Sequence, residues 1–216
     1  MQAATNRTNG RQPYWSVRMY STLINVPKLK FSEPRRNLPG RKGSATEEDR
    51  FTIAFMRAYL DQASVIHRRS RKTSLAFARE IPVNGYGIAD LHVVAWDGMP
   101  NERFPDVESF VRVVRPCTRA FECKLLNWRQ AMTQAGRYRF FANQTFVVLP
   151  DAACSRALPY LATFEAIKVG LWAFNMETGK ITPHHTPRPI TAKSEKYYFH
   201  AIQTVARASR QSLPIP

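Results

Sequence analysis

Glu122, Cys123 and Lys124 place an acid and a base two residues apart, with apolar Phe121, Leu125 and Leu126 around them. On a strand, side chains alternate between faces, so Glu122 and Lys124 point the same way and Cys123 faces a core as a small hydrophobe. Upstream, Gly87–Trp96 carries one acid, Asp90, among Ile88, Ala89, Leu91, Val93 and Val94. A lone carboxylate there is expensive to desolvate without a partner. If the two strands pair, Asp90, Glu122 and Lys124 meet at one spot. Two carboxylates suit a hard divalent cation, Mg²⁺ or its substitute Mn²⁺, and a lysine beside them can steer a water or steady a developing negative charge. That set suits metal-dependent phosphodiester cleavage. The competing reading is structural: a salt bridge from Asp90 to a buried base, Lys124 included, and an E-x-K face on an ordinary sheet.

The elements that would hold these residues can be read from capping, periodicity and turn signals. Thr46 with Asp49 three residues on is a helix start, with acids in the first turn, and Phe51, Ala54, Phe55, Ala58 and Tyr59 continue it at helical spacing to about Val65. Ser74–Val83 reads as a strand, Asn84-Gly85 as a hairpin turn, and Gly87–Trp96 as the returning strand. Asp97–Pro116 reads as a long loop or a helical insertion. Thr118–Leu126 is the third strand, Trp128–Phe141 a helix, and Thr145–Leu149 an apolar fourth strand. Cys154–Ile167 reads as a helix that Pro159 is expected to kink, and Gly170–Asn175 as a fifth strand followed by a turn at Glu177–Lys180. Thr182–Pro189 is proline-rich and reads as the end of the core, and Ala192–Ser209 as a terminal basic helix. The order α-β-β-β-α-β gives an α/β fold with a mixed central sheet flanked by helices.

The helix after Glu122-x-Lys124 carries Gln134-x-x-x-Tyr138, one turn apart, so both can face the same site. An acid in an apolar strand, E-x-K in the next, Q-x-x-x-Y in a helix and an apolar strand after it resemble, in that order, the PD-(D/E)XK nuclease superfamily. The Q-x-x-x-Y element is similar to that of its RecB-like branch. The resemblance covers roughly Thr46 to Ile190. It implies a restriction-endonuclease-like fold, catalytic Asp90, Glu122, Lys124, Gln134 and Tyr138, and Mg²⁺ on Asp90 and Glu122. Glu48 or Glu47 would add a further carboxylate, as a first-helix residue does in parts of the family, though such acids ordinarily just complement the helix dipole. Two departures stand out: Ala89 occupies the position where the family name implies proline, and the Trp96–Cys117 connection is long. Some RecB-like nucleases hold an iron–sulfur cluster on four cysteines; three cysteines cannot supply it, so none is expected.

Charge points to the partner. The 216 residues carry 32 Lys+Arg against 16 Asp+Glu, a net charge of +16, which suits a polyanion. Nucleic acid is the expected partner, with DNA the expected substrate. Residues 1–45 hold nine Lys/Arg and one acid, Glu33, and read as a flexible basic arm before a 46–190 domain and a 191–216 basic helix and tail. Arg68, Arg69, Arg71 and Lys72 follow the first helix, and Arg129 and Arg137 lie on the Q-x-x-x-Y helix with Trp128. These are the candidate nucleic-acid contacts; a solvated loop and a core tryptophan are the plainer readings. The pair His184-His185 lacks a third ligand for zinc, and no glycine-rich phosphate loop appears.

No apolar run reaches membrane-spanning length, so no membrane partner is expected. Cys117, Cys123 and Cys154 form no C-x-x-C pair, which fits a reducing, cytoplasmic setting. The acid-poor arm and Arg18-Met19-Tyr20-Ser21, which resembles a matrix-processing site, make the mitochondrial matrix the alternative. A second class of function stays open: a nuclease-like fold used for nucleic-acid binding or assembly without cleavage.

Overall fold

A computed structural model of the chain describes residues 46–68, 73–83, 85–97 and 104–208. The expected basic arm at 1–45 lies outside the described residues, as do Arg69, Arg71 and Lys72. The architecture is α/β, a six-stranded mixed sheet with helices on both faces.

Helix α1 (Glu47–Arg68) begins on a reciprocal cap. The Asp49 N–H donates to Thr46 Oγ1 at 3.1 Å, and the Thr46 N–H donates to Asp49 Oδ2 at 2.9 Å. Its buried Phe51, Phe55, Met56 and Tyr59 face one side of the sheet. There Phe55 meets Phe121 at 5.4 Å and Phe51 meets Phe174 at 5.5 Å, contacts each contributing about 0.5–1.5 kcal/mol beyond area burial.

Strands β1 (Thr73–Val83) and β2 (Gly87–Asp97) form the expected hairpin, with Gly85 at φ 83° in its turn. The 97–116 connection contains α2 (Val107–Val114), capped by Asp106, which accepts from the Ser109 N–H at 2.7 Å. Then come β3 (Cys117–Cys123), α3 (Trp128–Tyr138) and β4 (Gln144–Leu149). The sheet runs β1-β2-β3-β4 and continues through β5 (Val169–Phe174) to β6 (Ile181–His185). β1–β2 and β2–β3 are antiparallel, β3–β4 and β4–β5 parallel, and β5–β6 antiparallel. The parallel connections are α3 and, between β4 and β5, the pair α4 (Asp151–Ala157) and α5 (Leu161–Ala166). Gly170 is required on β5: a Cβ there would sit 2.2 Å from Phe146 Cδ1.

Several boundaries differ from the sequence expectation. The third strand stops at Cys123, so Lys124 lies just past its end. The 154–167 helix starts earlier, at Asp151 behind Pro150, and is divided rather than kinked, because Pro159 turns Leu158–Tyr160 into a 3₁₀ segment. The 182–189 stretch contributes a sixth strand; an edge strand tolerates Pro183 because one of its sides needs no ladder partner. The terminal helix α6 (Glu195–Ala208) starts at Glu195 and packs on β1, burying Tyr198, Ala201, Ile202 and Val205 in the core on the α3 side of the sheet, with the Tyr198 hydroxyl donating to Pro116 O at 2.6 Å. Among the described residues no helix is long and apolar enough to cross a membrane.

The hairpin turns over at one step. Ala76 and Ala78 belong to the α3-side core, and so do Ile81 and Val83, which have the opposite parity. On β2, Leu91 and Val93 face α1 whereas Ala89 faces α3. The change falls where Glu80 adopts φ 52° and the pairing register skips Glu80 and Asp90.

Candidate active site

Asp90 and Glu122 oppose one another across the β2–β3 pair. The last paired residues are Leu91 and Phe121, and one step further would set Asp90 against Glu122. There the strands part. The Asp90 carboxylate enters the fork and accepts from the Cys123 backbone N–H at 2.7 Å. Cys123 is buried on the α1 side, as its alternation with Glu122 predicts.

Glu122 is buried beneath α3. Asn127 caps that helix, accepting from the Gln130 N–H at 3.1 Å, and small Ala131 and Ala135 let it lie close on the sheet. Its last residue, Tyr138, reaches the site. The Tyr138 hydroxyl is hydrogen-bonded to Glu122 Oε2 and lies 2.6 Å from Ile88 O. One hydroxyl has one proton, so an ionised Glu122 and the Ile88 carbonyl compete for it. A protonated Glu122 can donate to Tyr138 while Tyr138 donates to Ile88. Gly87, at φ 101°, passes close to the same ring: a Cβ there would be 3.5 Å from Tyr138 Cε1.

Lys124 Nζ bridges two acids, at 2.6 Å from Glu48 Oε1 and 3.3 Å from Glu122 Oε1. Its backbone N–H donates to Val148 O at 3.1 Å, which fixes the residue although the strand has ended. Thus Asp90, Glu122, Lys124, Tyr138 and Glu48 come together. Glu48 arrives from α1 as the partner of Lys124, and among the described residues no group of three His, Cys, Asp or Glu forms a ready metal site. Gln134 is half-buried one turn before Tyr138, its Oε1 buried without a hydrogen-bond partner. Arg137 and Arg129 are exposed on α3, and Arg68 ends α1.

Burial sets the electrostatics. It pushes Asp90 up to about 6, against the lowering effect of the Cys123 N–H, Lys124 and Arg79. It pushes Glu122 up to about 7, with the Asp90 charge adding and Tyr138 and Lys124 opposing. Lys124 stays charged, its pKa raised because Glu48, Glu122 and Asp90 outweigh its desolvation. Two desolvated carboxylates that repel each other are a hard oxygen donor pair whose cost a divalent cation would relieve, and one or two carboxylates suffice for Mg²⁺ when substrate phosphate supplies other oxygens. The donor set therefore fits Mg²⁺.

Sequence reasoning missed Arg79 on β1, near enough to lower the Asp90 pKa, and Tyr160, which holds Arg129 by its hydroxyl at 3.3 Å. No local pattern marks either one; the break at Pro159 is the nearest signal for Tyr160. No protein-family model matches the chain, and a search of curated proteins finds no match.

Proposed function

We propose that the protein is a Mg²⁺-dependent nuclease of restriction-endonuclease-like fold that hydrolyses phosphodiester bonds in nucleic acid, DNA being the expected substrate. The observation that carries this reading is the opposition of Asp90 and Glu122 at the β2–β3 fork with Lys124 Nζ 3.3 Å from Glu122. The chain order α1, β1–β3, α3, β4 supports the fold assignment.

Asp90 and Glu122 would hold the cation. Bound Mg²⁺ would neutralise the scissile phosphodiester and lower the pKa of a water. The Cys123 N–H and the Tyr138 hydroxyl fix the two carboxylates, so little reorganisation is left for the reaction. Lys124 keeps its proton and can hold the attacking water or stabilise charge on the phosphate. Gln134 offers an unspent acceptor to Lys124 or a water, and the net charge of +16 supplies attraction to the substrate.

The test is cleavage of labelled linear, circular and branched DNA and of RNA, with Lys124→Ala as control. Mg²⁺ and Mn²⁺ should support cleavage; Ca²⁺, which coordinates more loosely, should support binding with little cleavage. A wild type that binds these substrates and cuts none of them with any metal would leave a catalytically silent binding module.

A further inference from the structure

Five residues after Lys124 the chain carries an arginine, Arg129, that the scheme above does not use. α3 opens with Trp128 and Arg129 shortly after Lys124, at the carboxyl ends of the parallel strands. Crevices at that end of α/β sheets are where ligands bind. The Arg129 guanidinium carbon lies 4.3 Å from the Trp128 ring centroid and 5.2 Å from that of Tyr160. Its Nη2 donates to the Tyr160 hydroxyl at 3.3 Å. Trp128 is buried against Phe164 and anchors the cradle, with its ring 4.7 Å from that of Tyr160. Tyr160 is the last residue of the 3₁₀ turn that Pro159 creates, so the break in the helix places its ring here.

Arg129 and Tyr160 are exposed, and among the described residues Arg129 pairs with no carboxylate. α3 has no acidic residue, and the positive end of its dipole adds to the same corner. A guanidinium carries five donors in a rigid fork that matches phosphate oxygens. An exposed arginine ordinarily gives up rotamer freedom to make such a contact; here two rings and a hydroxyl already restrict it.

We propose that Arg129, stacked on Trp128 and Tyr160, is a phosphate clamp for the nucleic-acid strand that runs past Asp90 and Glu122, and that Tyr160 is its positioning residue. The choice of ligand rests on the nuclease reading. The clamp grips a phosphate outside the reacting one and fixes the strand's register without reading its sequence.

Fluorescence anisotropy of fluorescein-labelled single-stranded and duplex DNA, with Ca²⁺ in place of Mg²⁺ and over a salt series, reads binding without cleavage. Arg129→Ala should weaken binding on the order of tenfold and reduce the salt slope by about one. Arg129→Lys should keep the slope yet lose affinity, because an ammonium has no planar fork. Tyr160→Ala should weaken binding in the wild-type background and add nothing in the Arg129→Ala background. Unchanged affinity and slope for a folded Arg129→Ala would overturn the clamp, as would a wild type that binds neither DNA. Additive losses would overturn the role of Tyr160. A wild type that cleaves while Arg129→Ala binds normally removes the clamp and keeps the nuclease. A wild type that never cleaves, with binding that depends on Arg129, does the reverse.

Discussion

Asp90 takes the place of a strand carbonyl for Cys123: the Cys123 N–H donates to Asp90 Oδ2 at 2.7 Å where the β2–β3 ladder has ended. The same carboxylate thus closes the sheet and faces Glu122. These two roles separate by substitution. Asp90→Asn keeps an oxygen for the Cys123 N–H and should abolish cleavage with stability at pH 8 equal to or above wild type, because one of two repelling charges is gone. Asp90→Ala also abolishes cleavage but leaves the N–H without its acceptor, at a cost of about 1–3 kcal/mol. Urea unfolding of both variants checks this. Equal stabilities would mean the Asp90–Cys123 bond contributes nothing to the fold.

The pH dependence of stability follows from the carboxylate pair. Asp90 and Glu122 are raised to about 6 and about 7, chiefly by burial, so the metal-free folded state holds protons that the unfolded chain releases. Their contribution is fully present below the unfolded values near 4 and is lost as pH rises through 6 and 7. Metal-free protein should therefore lose stability between about pH 4 and 7 and level off above that, and Glu122→Gln should flatten that limb. Mg²⁺ would bind the ionised forms, so its stabilising effect and the cleavage rate should both rise as the pair ionises in the folded state, through about pH 6 and 7. His92 acts on the other side: burial lowers it to about 3, so its contribution is present above about 6.5 and is lost as pH falls towards 3. Both His92 ring nitrogens are buried without partners, so His92→Leu should remove this acid limb and be neutral or stabilising at pH 7. Thermal melts across pH in EDTA and in Mg²⁺ check all three signs.

Tyr138 tests whether the site's proton balance depends on one hydroxyl. Its hydrogen bond lowers the Glu122 pKa against burial, so Tyr138→Phe should raise that pKa further. The cleavage–pH profile should move to higher pH, and more Mg²⁺ should be needed at pH 7. The Ile88 carbonyl also loses its donor, which should cost on the order of 1 kcal/mol of stability. A profile that stays in place while activity falls would make Tyr138 a packing residue only.

Helical spacing revealed α3, which carries Tyr138 and has one apolar face, and short apolar runs bounded by turn signals revealed β2 and β3, which carry Asp90 and Glu122 and are covered on both faces. The turn-over at Glu80 and Asp90 was not legible. A glutamate at φ 52° breaks the usual preference for glycine, and the inverted parity of Ala89 shows only once the strands are paired. Pro183 hid the sixth strand, since its tolerance depends on an edge position that the sequence does not state. Lys124 reached Glu122 by a different route from strand alternation. It lies beyond the end of β3 and is held by Val148 O and Glu48, both supplied by distant elements.

Glu48 is the residue whose role the geometry divides most sharply. It sits 2.6 Å from Lys124 Nζ and is more exposed than Glu122. If Glu48 positions Lys124, Glu48→Gln retains an acceptor and should keep most activity, whereas Glu48→Ala should lower kcat several-fold and leave the Mg²⁺ requirement unchanged. If Glu48 instead joins Asp90 and Glu122 on the cation, both variants should raise the Mg²⁺ concentration needed for half-maximal rate. The helix start should tolerate either change because the Thr46–Asp49 cap remains intact, although the Glu48–Lys124 pair is itself partly buried. Mg²⁺ titrations of cleavage for wild type and both variants separate the outcomes. We expect the positioning result, because Lys124 Nζ lies closer to Glu48 than to Glu122, and Glu48 stands outside the opposed Asp90–Glu122 pair.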